Sequence, residues 1–327
     1  MPGPERLHRR LLGGESCGKV RRRIAPPVRV RDFARRKDTL EETIAEALDR
    51  LSYAINLGSV EANTNDMHLG MLPQPGEVFE WTQEMWGPAL RCRALFVPHL
   101  FTTRTLALRG ARHEVARAWG KVAETLGVAP ERLQQLRQVH GARAVEVSSE
   151  TLRDSSQPWP EADVAVSVDP AVGLGIRVAD CVPLLLFDPR TRAVAAAHAG
   201  WRGIAAGAPM AAVSALGQCY QARPSDLLAA AGPSIGPCCY SVGSELPRHF
   251  ALHPEAASWF LRGRPLRLDL WRATRDQLRR AGLEDANIHL SRLCTACHVD
   301  VFCSYRKEGE TTGRLAAVIK SARSQLS

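Results

Sequence analysis

Between residues 164 and 198 four short apolar runs follow one another with almost nothing between them: 164–168, 173–178, 182–187 and 193–198, most of them with β-branched residues. A parallel crossover needs a dozen or more residues, so spacing this tight predicts antiparallel pairing within the block. Segments with helical periodicity surround it. Residues 114–126 read as a helix that stops at Gly127, 203–220 as a small-residue helix, and 244–260, 270–281 and 314–324 as further helices. Shorter apolar runs at 94–101, 227–231 and 288–291 predict additional strands. Strands bunched together and bordered by helices predict an α+β domain with mixed sheets, not a doubly wound one.

The chain has 327 residues, 45% hydrophobic and 24% charged, which is ordinary for a globular protein able to bury a core. No run approaches the ~18 apolar residues of a membrane helix. The formal net charge of +9 resides at one end: residues 1–37 hold ten Arg and two Lys against Glu5, Glu15 and Asp32, while the rest balances 31 basic against 31 acidic groups. The basic balance therefore says nothing about a site in the globular part. The arm has no interleaved aromatics and no folded nucleic-acid motif, so it is read as a disordered leader and not as a nucleic-acid interface. Thr39 and Glu42 form a capping-box pattern, and Leu40, Ile44, Leu48, Leu51 and Ile55 fall on one helical face. The expected organisation is a basic disordered arm over 1–37, a helix plus linker over 38–85, and a single catalytic domain over 86–327. Nine cysteines, an odd number at uneven spacing with no export signal, argue for reduced thiols and a cytoplasmic location.

Four clusters place a reactive side chain where a strand gives way to a turn: Gln138-Val-His-Gly141, Ala179-Asp-Cys-Val-Pro183, Ala197-His-Ala-Gly-Trp-Arg-Gly203 and Gly232-Pro-Ser-Ile-Gly-Pro-Cys-Cys-Tyr240. His140 and His198 supply imidazole nitrogens and Cys181 a thiolate, a three-ligand set for zinc with one coordination position left open. The same residues also permit a metal-free Cys–His nucleophilic pair, and each taken singly reads as a core residue.

In order and spacing these clusters resemble the laccase-domain family, described as bacterial polyphenol oxidase, as purine nucleoside phosphorylase and as peptidoglycan editing factor. The likeness runs from about residue 99 to 319. Its most specific elements are the string at 197–203, Cys294-Thr295, Phe302-Cys-Ser-Tyr-Arg306 and Thr311-Thr-Gly-Arg314. The resemblance implies a layered sandwich of mixed β-sheets flanked by helices, with zinc held by His140, Cys181 and His198. It also implies phosphorolysis of adenosine, inosine, guanosine and methylthioadenosine, together with adenosine deamination. Arg104, Arg202 and Arg306 are then candidates to hold phosphate, whose oxygens match the guanidinium fork. Asp180, beside Cys181, is a candidate to orient a histidine or move a proton.

Two features depart from the family pattern. The glycine- and serine-rich loop that normally follows Thr102-Thr-Arg104 is missing, and residues 1–85 have no counterpart. Competing readings are a polyphenol oxidase with copper replacing zinc in the same three-ligand site, a Cys–His hydrolase in peptidoglycan editing, and a binding protein that has lost activity. Ten histidines without a single His-x-His pair supply a multi-copper cluster poorly. Cys294-x-x-Cys297 lacks a properly spaced second pair, because Cys238 and Cys239 are adjacent, so these residues are read as packing thiols.

Overall fold

The computed structural model describes residues 72–106, 108–152 and 158–322. The basic arm, the helix expected after Thr39 and Cys17 all lie outside the described residues. In chain order the elements are β1 (Phe79–Glu84), β2 (Gly87–Cys92), β3 (His99–Thr102), α1 (Arg112–Leu126), β4 (Leu133–Gln135), β5 (Ala144–Glu146), β6 (Val164–Ser167), β7 (Gly173–Val178), β8 (Val182–Phe187) and β9 (Val194–Ala199). Then follow α2 (Trp201–Ala206), α3 (Ala208–Tyr220), β10 (Leu228–Ala231), β11 (Ser241–Val242), β12 (Phe260–Leu261), β13 (Leu266–Leu268), α4 (Leu270–Arg280), β14 (Ile288–Leu290), α5 (Tyr305–Glu308) and β15 (Leu315–Lys320).

Two six-stranded mixed sheets carry the fold, in the orders β1-β2-β3-β15-β7-β4 and β14-β10-β8-β9-β6-β5, and β11–β13 form a small third sheet. Three pairs are parallel: β4 with β7, β5 with β6, and β10 with β14. The two large sheets pack face to face. Leu174, Ile176, Leu315, Ala317 and Ile319 of the first meet Leu185, Phe187, Val194 and Ala196 of the second in one apolar layer. On its outer face the second sheet turns Leu184, Leu186, Ala195 and Ala197 toward Ala212 and Leu216 of α3 and Ala273 and Leu278 of α4. The first sheet turns Leu100, Ala316 and Val318 toward Trp119, Val122 and Leu126 of α1. The layering is helix, sheet, sheet, helix: the α+β sandwich expected.

Strands covered on both faces read as continuous apolar runs, which explains both the ease of finding β8 and the misreading of β15. The segment 314–324 was expected to be a helix, since Ala, Lys and Leu suit one. It is instead a strand paired on both edges, with β3 and β7. Ladder pairing and burial on two faces override local propensity there. The helix expected over 244–260 is two short 3-10 segments, Leu246–Phe250 and Ala256–Trp259, because Pro247 and Pro254 remove backbone donors. The strand expected from 94 begins only at His99, after Pro98. The hairpin of β1 and β2 was not anticipated, and it extends the compact unit upstream of residue 86, to Leu72.

The tight block at 164–198 also behaves differently from the simplest reading. β8 pairs antiparallel with β9, and β6 with β9. β7, however, lies in the other sheet, between β15 and β4. The chain therefore changes sheets twice, and the second change, from Val178 to Val182, passes through Ala179, Asp180 and Cys181.

Candidate active site

The sheet-to-sheet crossing places Cys181 where the two large sheets adjoin. His198, in β9, lies opposite Pro183 of β8 in the ladder, only two residues beyond Cys181. His140 arrives on the turn between β4 and β5, with a positive φ of 61°, and Asp180 has φ 81°. Both are residue types that tolerate the left-handed region better than most, and non-glycine residues held there are concentrated at functional sites.

The group that fixes this geometry is Asp163, which sequence reasoning did not single out. It is fully buried. Its carboxylate accepts the backbone N–H groups of Val139, His140 and Gly141 at 3.2, 3.0 and 2.7 Å, and lies 2.8 Å from Nδ1 of His198. One side chain thus clamps the turn that carries His140 and orients the ring of His198, leaving Nε2 for the site. The orienting role considered for Asp180 is performed here by Asp163. Burial alone would raise the Asp163 pKa, but His198 and the Gly141 and Val139 N–H donors outweigh it and hold the carboxyl below its usual range. The signal available in the sequence was an acidic residue at the head of a short apolar run, Val164-Ala-Val166. Gln138 contributes differently: its amide donates to the carbonyl of Arg177 at 2.7 Å and accepts from the N–H of Arg177 at 2.8 Å, tying the His140 turn to the end of β7.

The donor atoms of His140, Cys181 and His198 lie within 4.8 Å of one another; His140 is exposed, Cys181 half-buried and His198 buried. The two imidazoles meet edge to face at 4.8 Å. Burial opposes ionisation of Cys181, yet His198 and His140 beside it bring its thiol down to about 6. Burial likewise opposes charging of His198, but the Cys181 sulfur and Asp163 lift it to about 9. A thiolate with two imidazoles, one backed by a carboxylate on its far nitrogen, is a donor set that suits zinc or copper, and the carboxylate–histidine pairing is the usual support of a metal ligand. Gly200 closes the site tightly: a Cβ there would lie 2.6 Å from Sγ of Cys181 and 3.4 Å from the ring of His140.

The three donors open into a cavity of about 630 Å³ that is also lined by Arg177, Arg202, Arg306, Arg314, Trp201, Tyr240 and Tyr305. Of the three arginines singled out in the sequence, Arg202 and Arg306 line this cavity. Arg104 is not among the lining residues; it pairs with Glu308 at 2.7 Å and donates to the Val299 carbonyl. Arg177 and Arg314 were not foreseen. They come from adjoining ends of β7 and β15, and none of the four lining arginines forms an ion pair with a carboxylate among the described residues. Burial, and then the nearby charge of Arg314, lowers the pKa of Arg177, as expected where cations converge. Arg202 stacks on Trp201 at 4.3 Å and Arg306 on Tyr240 at 5.0 Å. Burial pushes the Tyr240 phenol up to about 12, so it stays neutral. Asp180 lines the cavity too, but its carboxylate is engaged: it accepts from Thr295 Oγ1 at 2.6 Å, Ser304 Oγ at 2.8 Å and the Arg306 N–H at 2.6 Å. It holds the far wall of the cavity in place.

Three protein donors open to a concave, arginine-rich space is the arrangement of a catalytic metal site rather than of a closed structural one. The chain belongs to the family described as multi-copper polyphenol oxidoreductase laccase, whose model matches residues 104–322. Among its relatives, purine nucleoside phosphorylase YlmD of Geobacillus stearothermophilus is 35% identical over 216 residues, covering 64% of this chain and 79% of the relative. Purine nucleoside phosphorylase YfiH of Escherichia coli is 34% identical, covering 59% of this chain and 75% of the relative. The crystal structure of YlmD from Geobacillus stearothermophilus superposes with a TM-score of 0.68 at 32% identity, covering 74% of this chain and 98% of that one. Among the described residues no helix is long and apolar enough to cross a membrane.

Proposed function

We propose that this chain is a zinc-dependent purine nucleoside phosphorylase, acting on adenosine, inosine, guanosine and methylthioadenosine, with adenosine deamination as a second activity of the same site. The observation that carries the proposal is the meeting, in one cavity, of the His140–Cys181–His198 donor set and four arginines that have no carboxylate partner among the described residues. The names of the relatives support the same reading.

In phosphorolysis a phosphate oxygen bonds to the anomeric carbon of the ribose as the carbon–nitrogen bond to the base breaks. The bonding electrons pass to the base, which takes up a proton, and the products are free base and ribose 1-phosphate. Arg177, Arg202, Arg306 and Arg314 are assigned to the phosphate, whose negative charge four convergent guanidinium groups would neutralise and orient. Trp201, Tyr240 and Tyr305 provide flat apolar surface for a purine, and neutral Tyr240 can donate a hydrogen bond to it. Asp163 keeps His140 and His198 in the orientation that binds the ion. Zinc, when bound by His140, Cys181 and His198, supplies Lewis acidity at its open position.

Incubation of the purified protein with adenosine, with and without phosphate and with and without chelator, tests the reading. Adenine and ribose 1-phosphate are expected by mass spectrometry only when phosphate and metal are both present. No base release under any condition would remove the proposal.

A further inference from the structure

Away from the cavity floor, four more cysteines converge. The sulfurs of Cys238, Cys239, Cys294 and Cys297 all lie within 4.8 Å of one another. Cys297 Sγ is 3.5 Å from that of Cys238 and 3.4 Å from that of Cys239. Their origin is two segments that run side by side: Ser234 bridges Cys294 in parallel register, and Thr295 N–H donates to the Ser234 carbonyl at 3.1 Å. Each segment then turns sharply. Cys239 and Tyr240 donate to the Gly236 carbonyl at 3.0 Å, which folds the adjacent cysteines back toward the second segment. Cys297 and His298 donate to the Cys294 carbonyl at 3.2 Å, which brings the C-x-x-C pair onto one side of a turn. Cys303 lies apart from them, buried in the layer between the large sheets. The missing spacer between Cys238 and Cys239, which argued against a metal site, is made up by the tight turn at Gly236.

We infer that Cys238, Cys239, Cys294 and Cys297 bind a second metal ion, a tetrahedral zinc with four sulfur ligands. Zinc–thiolate bonds of about 2.3 Å place the sulfurs of a tetrahedron about 3.8 Å apart, close to the 3.5 and 3.4 Å that separate Cys297 from Cys238 and Cys239. A polynuclear iron–sulfur cluster would hold its cysteines further apart. The Gly236 N–H donates to Cys294 Sγ at 3.2 Å, a contact that stabilises a liganding sulfur. Four sulfurs leave no open position, so this ion is structural. Its effect reaches the cavity through both segments: Tyr240 follows Cys239 and lines the wall, and Thr295 follows Cys294 and donates to Asp180. The ion thereby fastens together two loops that form one side of the site.

Zinc analysis of protein purified under reducing conditions tests this without altering any residue: about two ions per chain are expected, against about one if only the His140–Cys181–His198 set binds. The double variant H140A/H198A should retain about one ion. After exchange with cobalt that variant should show the intense thiolate-to-cobalt absorption of an all-sulfur tetrahedral site. Cys297→Ser should lose the second ion and Cys297→His should recover it. One zinc in the unaltered chain would overturn the inference. So would a double variant without metal, or a Cys297 disulfide to Cys238 or Cys239 in the freshly purified, unreduced protein.

Discussion

At the residue scale the site depends on one carboxylate. Asp163 satisfies three backbone donors and one imidazole from a fully buried position, and a buried group with that many partners cannot be altered cheaply. Asp163→Asn replaces one acceptor oxygen by an amide donor facing those N–H groups. We expect metal affinity to fall by about 10- to 100-fold, read by competition with a chromophoric chelator; unchanged affinity would remove Asp163 from the account. A second buried residue sets a pH limit. Burial holds His99 down to about 4, and its neutral ring accepts the Cys92 N–H at 2.9 Å while its Nδ1 lies 2.8 Å from the Val97 carbonyl. The unfolded chain binds this proton near pH 6.5 and the folded chain only near 4, so the His99 contribution is intact above about 6.5 and is lost as pH falls toward 4. By pH 4 the loss amounts to about 3 kcal/mol. Urea unfolding at pH 7, 5 and 4 should show that decline, and His99→Phe should flatten it between pH 6.5 and 4 relative to the unaltered protein.

At the scale of elements, packing settles what propensity left open. Gly173 in β7 lies under α1, and a Cβ there would come within 2.8 Å of Leu126 and 2.9 Å of Leu133. Gly173→Val should therefore cost about 1–3 kcal/mol of stability through overpacking, measured as a shift in the urea midpoint; a neutral result would mean that α1 can slide off the sheet. Elements with a local signature were legible in the sequence: α1 with its Gly127 stop, and β8 with its unbroken apolar run. β15 was not, because Leu315–Lys320 suits either a helix or a doubly covered strand until its neighbours are known. His140, Cys181 and His198, which the structure brings together, were legible as candidates because each sits in a distinctive turn motif. Asp163, Arg177 and Arg314 were not, because their roles follow from which strands adjoin in space. The same applies to the four clustered cysteines, where the sequence shows a wrong spacing and the turn at Gly236 corrects it.

At the scale of the whole molecule, the compact unit from Leu72 onward contains the two large sheets, the helices on their outer faces and every residue assigned to the site. The strongly basic first 37 residues lie outside the described residues. Their removal should leave kcat/KM for adenosine phosphorolysis unchanged, as a steady-state comparison of the two forms would show.

On the proposed function, turnover depends on one ion held by His140, Cys181 and His198 where they open into the cavity. His198→Ala, analysed for zinc content, phosphorolysis and thermal unfolding together, tests it most directly. The expected outcome is the loss of one zinc per chain and of base release, with a cooperative unfolding transition retained. Full zinc content and undiminished turnover in that variant would contradict it.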